Sequence, residues 1–297
     1  MRLDSLHTLI EREGLPGSYG DTVERWWRPL AKRIVDEVRR VGRPLLVGIN
    51  GSQGSGKSTM ALFLEHMLQD DFGLNTAVLS LDDLYLTQQE RQSLAVKVHP
   101  LLATRGVPGT HDVELGQRVI EQALTGSGPL PLPRFDKSTD DRAMGNSWPT
   151  IQAPLDILLF EGWCLAARPV PAEELEDPIN ALEAVNDSTG RWRNYVNAQL
   201  AGPYRDLFGS LDLTVMLRAP DFDQVVQWRL LQERKLIQRT GKGMDKGEVR
   251  HFIMHYERLT RQMLENLPPF MDVVFDIGAD HDPVSVTGLE LTASPTE

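Results

Sequence analysis

Positions 51 to 58 read Gly-Ser-Gln-Gly-Ser-Gly-Lys-Ser, three glycines closing on a lysine and a hydroxyl. The spacing is G-x-x-x-x-G-K-[ST], preceded by an apolar run from Leu45 to Ile49 and followed by an amphipathic helical pattern through Met60, Phe63, Leu64 and Met67. In that context it is an anion cradle. Glycines admit backbone angles closed to other residues, so the amides can approach phosphate oxygens, and the helix starting near Lys57 adds its positive end. Gly51, Ser52, Gln53, Gly54, Ser55 and Gly56 would wrap the phosphates of a nucleotide. Lys57 would neutralise the β- and γ-phosphates and Ser58 would ligate Mg²⁺, with Thr59 as the next hydroxyl. No guanine-reading N-K-x-D pattern and no ABC-type signature accompanies the loop, which lowers the GTPase and transporter readings.

Two further groups of acids stand where such a loop would meet them. Asp82 and Asp83 follow the apolar run Thr76 to Leu81, and Glu161 follows the run Asp156 to Phe160. Ligands of open α/β sheets bind beyond the carboxyl ends of the strands, so these acids should converge on the cradle. A carboxylate within reach of an alcohol can accept its proton as a bond to phosphorus forms, contributing about 10²–10⁴-fold. Strand alternation puts Asp82 and Asp83 on opposite sides without saying which faces the phosphate. Glu161 closes an apolar strand, where an acid is costly unless it meets a cation, and Mg²⁺ is the natural partner.

The set of a phosphate loop, the D-x-x-Y of Asp82 to Tyr85 and the F-E-G of Phe160 to Gly162 resembles the phosphoribulokinase, uridine kinase and pantothenate kinase superfamily. Three segments, Gly106-Val107-Pro108-Gly109-Thr110-His111-Asp112, Leu132-Pro133-Arg134-Phe135-Asp136-Lys137-Ser138 and Phe160-Glu161-Gly162-Trp163-Cys164, resemble more narrowly the plant-type D-glycerate 3-kinases and their fungal and bacterial relatives. The likeness runs from about Leu45 to Ile277. It implies an ATP- and Mg²⁺-dependent kinase for a small hydroxy acid, with D-glycerate converted to 3-phosphoglycerate. The resemblance selects Asp82 as general base and makes Arg229 and Arg234 the arginines of a phosphate-covering lid, with Arg239 a third in the same stretch. It also implies that Arg105, Arg134 and Lys137 meet the substrate carboxylate and that His111 and Asp112 meet its hydroxyls, with Arg142 a further cation nearby. The superfamily leaves a nucleoside, pantothenate or another sugar as alternative acceptors. A nucleotide-binding switch that hydrolyses ATP slowly is the alternative of another class.

The elements that must position these residues follow from the apolar pattern. The runs Pro44 to Ile49, Thr76 to Leu81, Asp156 to Phe160, Leu213 to Leu217 and Val273 to Ile277 are apolar on both faces and are separated by helical patterns. They predict an α/β fold with a doubly wound, mostly parallel sheet. Residues 1–42 read as a helical extension and residues 43–280 as the kinase domain. That domain carries a Pro- and Gly-rich, substrate-facing insertion at 87–154, a helical insertion at 169–208 and a lid at 221–267. Residues 281–297 read as a poorly ordered tail.

Composition bounds the rest. Lys and Arg number 31 against 42 Asp and Glu, a net charge of −11, which argues against nucleic acid or an anionic membrane as partner. The single cysteine, Cys164, cannot form an internal disulfide. The first residues have no apolar signal core, and no stretch reaches the roughly 18 apolar residues of a membrane span, so a cytoplasmic enzyme is expected.

Overall fold

The computed structural model describes residues 3–291, the side chains of residues 3–5 and 239 excepted. Its strands are β1 (Leu45–Gly51), β2 (Thr76–Ser80), β3 (Gly128–Pro131), β4 (Phe135–Asp136), β5 (Asp141–Arg142), β6 (Thr150–Ala153), β7 (Ile157–Gly162), β8 (Leu213–Arg218), β9 (Val273–Ile277) and β10 (Pro283–Thr287). Six of them form one sheet in the order β10-β9-β8-β1-β7-β2. All neighbours in it are parallel except β10 and β9. The other four strands make two antiparallel ribbons inside the stretch 87–154, β3 with β6 and β4 with β5.

Every residue of β1 and β7 is buried, as expected of central strands covered on both faces. Alternation then sorts their side chains. Leu45, Val47 and Ile49 join Ile157 and Leu159 on one face, under Phe63, Leu64 and Met67 of the helix Lys57–Asp70. Leu46, Leu158 and Phe160 join the other face with Tyr204, Leu207, Tyr256 and Met263. Parallel register brings three strand ends level, because Ile49 of β1 and Ser80 of β2 both lie opposite Glu161 of β7. The phosphate loop, the Asp82 turn and Glu161 therefore leave the sheet at the same edge.

The expected strand positions hold to within two residues at each end, and the lid stretch folds as two helices, Phe222–Thr240 and Lys246–Asn266. One reading at the C-terminus differs. Of the tail expected to be poorly ordered over 281–297, residues 283–287 form β10, whose Val286 pairs with Phe275 and whose Thr287 pairs with Val274, while 292–297 lie outside the described residues. This short β-branched strand satisfies the open ladder edge of β9. The N-terminal helical extension packs onto the sheet. Trp26 and Trp27 meet the ring of Phe275 edge-on at 6.2 and 5.1 Å, and Leu30, Ile34 and Val35 share its core cluster.

Phe275 is thus the point where the N-terminal helices lock to the sheet. Phe275→Ala is expected to cost about 3–5 kcal/mol, the range for a buried aromatic truncated to alanine. It should appear as a lower urea midpoint with an unchanged slope. A midpoint equal to that of the unsubstituted protein would contradict this packing role.

Candidate active site

The cradle begins where β1 ends. Gly54 and Gly56 adopt φ of +80° and +92°, and the Cβ of Trp228 from the first lid helix lies 2.6 Å from where a Cβ on Gly54 would stand. Glycine is therefore required at position 54 by backbone angle and by space. Among the described residues the buried hydroxyls of Ser52 and Ser55 have no hydrogen-bond partner, as suits atoms that a ligand's oxygens would engage. Lys57 opens the helix Lys57–Asp70. Its Nζ lies 3.8 Å from Glu161 Oε2, and the Ser58 hydroxyl donates to Glu161 Oε1 at 2.9 Å. Glu161 is buried, and among the described residues its Oε2 accepts no hydrogen bond.

Asp82 and Asp83 sit in a 3₁₀ turn, Leu81–Leu84, that follows β2, with the Ser80 hydroxyl accepting from the Asp82 amide at 3.3 Å. The turn sends the two carboxylates in different directions. Asp82 Oδ1 accepts from the Tyr85 hydroxyl at 3.0 Å and Oδ2 from Lys137 Nζ at 2.7 Å. Asp83 faces away, accepting from the Arg134 guanidinium at 3.0 Å and the Phe135 amide at 3.1 Å. Burial pushes both carboxyls up. For Asp83 burial prevails; for Asp82 the cations Lys137 and Lys57 outweigh it and bring the pKa from 3.8 down to about 2.

A cavity of about 350 Å³ joins these groups: Gln53, Gly54, Lys57, Ser58, Asp82 and Glu161 line it, together with Arg105, Lys137 and Arg229. Arg105 is tied to Asp140 and lies 5.4 Å above the Phe135 ring. Arg229 pairs with Glu233 at 2.6 Å, and Glu233 also accepts from the Met244 amide at 2.7 Å, which fixes the turn between the lid helices. The cavity thus holds an anion cradle, an ionised carboxylate opposite it, and cations at its rim.

Several residues expected at the site lie elsewhere. Arg134 is spent on Asp83 and is absent from the lining. Asp112 caps the helix Val113–Thr125 through the Leu115 amide at 2.9 Å and pairs with Arg142 at 3.1 Å. His111 stacks on Tyr85 with centroids 4.5 Å apart and shares a 2.6 Å hydrogen bond with the Tyr204 hydroxyl. Burial drives its pKa down to about 3, so it is neutral, and it stands behind Tyr85 rather than in the cavity. Arg234 is exposed on the first lid helix outside the lining, and the Arg239 side chain lies outside the described residues. Thr59, next to Ser58, is not in the lining either.

The sequence also left walls unassigned. Tyr85, Trp163, Gln232, Phe252 and Tyr256 line the cavity. Trp163 donates to the Gly106 carbonyl at 2.9 Å and meets Tyr256 edge-on at 4.9 Å, while the Tyr256 hydroxyl donates to the Arg105 carbonyl at 3.0 Å. Of these, Tyr85 carried a sequence signal as the aromatic of the D-x-x-Y motif and Trp163 lay in a segment that carries the resemblance; Gln232, Phe252 and Tyr256 carried none.

No protein-family model matches the chain. An uncharacterized kinase of Schizosaccharomyces pombe, mug58, is 36% identical over 243 residues, covering 76% of this chain and 83% of its own length. The chloroplastic D-glycerate 3-kinase of Arabidopsis thaliana is 31% identical over 226 residues, covering 72% of this chain; the match spans 46% of that longer protein. Among solved structures, a D-glycerate 3-kinase from Cryptococcus neoformans superposes with a TM-score of 0.75 at 24% identity, covering 88% of this chain and 98% of that one, a likeness of fold. Among the described residues no helix is long and apolar enough to cross a membrane.

Because its pKa is depressed in the folded state, ionised Asp82 contributes stability above about pH 4, and that contribution is lost as the pH falls toward about 2. Lys137→Met removes the nearest cation. The carboxyl of Asp82, followed by carbon-detected NMR, should then titrate at higher pH, and its stabilisation should fade earlier on acidification. An unmoved titration would contradict the assigned cause.

Proposed function

Since this chain belongs to the plant-type D-glycerate 3-kinase family of P-loop kinases, we propose that it transfers the γ-phosphoryl group of ATP to D-glycerate, forming 3-phosphoglycerate. The observation that carries the reading is the single cavity in which the ionised Asp82 faces the cradle of Gly54, Lys57 and Ser58, with Arg105 and Lys137 beside it. A hydroxy acid fits this lining better than a nucleoside does, because two cations meet a carboxylate where a base would need hydrogen-bonding edges.

The loop amides and Lys57 hold the triphosphate with its γ-phosphorus toward Asp82. Asp82 accepts the proton of the acceptor hydroxyl as the bond to phosphorus forms. A carboxylate of such low pKa is a weak base while Lys137 sits on it at 2.7 Å. Lys137 is 60% exposed at its side chain and is free to turn toward an incoming carboxylate. Substrate binding then relieves Asp82 of its cation and makes it more basic at the moment a hydroxyl is presented. Arg105 holds the other side of the carboxylate. Arg229 stabilises charge on the transferring oxygens, and the lid excludes water that would otherwise take the phosphoryl group.

Ser58 and Glu161, whose buried Oε2 lacks a donor, suit Mg²⁺ alongside phosphate oxygens. There the ion would supply charge neutralisation for the triphosphate.

Coupled ADP release should follow addition of D-glycerate and not of uridine or pantothenate. Turnover of either of those without glycerate would remove the acceptor assignment and leave the kinase. Asp82→Asn should lower kcat by about 10²–10⁴-fold with ATP affinity retained, and near-normal turnover would refute Asp82 as base. Arg105→Ala should raise KM for the acid about tenfold or more, the scale of a lost charge-assisted pair, with KM for ATP little changed. An equal rise for both would place Arg105 outside the acid subsite.

A further inference from the structure

The turn between β9 and β10 reaches the phosphate loop. Within it His281 adopts φ of +71°, a left-handed conformation uncommon for a residue with a side chain. The turn is closed by the His281 amide donating to the Gly278 carbonyl at 3.0 Å and the Gly278 amide donating to Asp282 at 2.8 Å. The imidazole stacks on Trp228, centroids 4.8 Å apart and planes at 27°. Trp228 in turn donates its indole N–H to the Ala279 carbonyl at 3.0 Å. Thr22, from the N-terminal helices, donates its hydroxyl to Asp282 Oδ1 at 2.8 Å and holds the far side of the turn.

These contacts meet at one glycine. Gly54 packs directly on the Cβ of Trp228, so the position of that indole limits where the loop can lie. A glycine-rich loop that must present its amides to phosphates loses conformational freedom on binding, and a wall that holds it in shape beforehand lowers that cost.

We propose that His281 is a positioning residue for the nucleotide. Through its stack on Trp228, whose Cβ lies against Gly54, it keeps the phosphate loop in the conformation that receives ATP. The N-terminal helices and β10, which flank the catalytic elements in sequence, thereby set nucleotide affinity. The inference rests on ATP being the donor and is independent of which alcohol accepts.

His281→Asn tests it, because asparagine tolerates the left-handed backbone while removing the imidazole. Calorimetric binding of a non-hydrolysable ATP analogue with Mg²⁺ should weaken about three- to tenfold, the scale of one lost contact, with acceptor KM, kcat and Tm unchanged. Thr22→Val, which nearly conserves shape and touches neither substrate, should weaken the same binding in the same direction by a smaller factor. Wild-type affinity in both variants would overturn the proposal. So would a parallel rise in KM for both substrates with a lowered Tm, the signature of a merely structural residue. Because the calorimetry needs no acceptor, failure of the glycerate assignment would leave this measurement readable.

Discussion

Two carboxylates at one edge of a parallel sheet stand beside the phosphate loop, each with a lysine within reach. Glu161 has Lys57 at 3.8 Å and the Ser58 hydroxyl at 2.9 Å, and Asp82 has Lys137 at 2.7 Å and the Tyr85 hydroxyl at 3.0 Å. Without Lys137 and Lys57, burial would drive Asp82 toward the protonated form, and a protonated Asp82 can accept nothing from an alcohol. The rest of the architecture serves that pairing. Level strand ends set Glu161 beside the loop, the turn after β2 points Asp82 one way and Asp83 the other, and the ribbon of β4 and β5 lies next in sequence to the lysine that Asp82 needs.

The division of labour between the two lysines has a chemical consequence. Lys57 sits in the first turn of a helix, largely covered, and its position follows from the loop. Lys137 lies just past a two-residue strand and is mostly exposed. A covered lysine suits an anion present in every turnover, and an exposed one suits a partner exchanged between carboxylate and substrate. The same contrast holds for the arginines: Arg229 is fixed by Glu233 within one helix, whereas Arg105 answers to Asp140, 35 residues along the chain.

How much of this was legible in the sequence depended on whether the determining contact was local. The phosphate loop, the strands and the two lid helices are written in short-range pattern, and the structure has them close to where the pattern puts them. Asp82 and Asp83 could not be told apart by alternation alone, because the choice is made by Arg134, 51 residues away from Asp83. The same contact takes Arg134 out of the cavity lining. Asp112 is a helix cap, and a capping aspartate looks the same in sequence as one that meets a hydroxyl. Tyr256 had no signal, since its contact with Arg105 spans 151 residues. The tail was misread because β10 is a five-residue edge strand with few buried side chains, and its order comes from the free edge of β9.

The central claim is that Asp82 stands within hydrogen-bond reach of the hydroxyl to be phosphorylated. A crystal structure with a non-hydrolysable ATP analogue, Mg²⁺ and D-glycerate tests it most directly. It should show an acceptor hydroxyl about 2.6–3.2 Å from an Asp82 oxygen and in line with the γ-phosphorus, with Lys137 turned onto the glycerate carboxylate. Glycerate bound with its hydroxyls turned away from Asp82, and Lys137 still paired to that carboxylate, would contradict it.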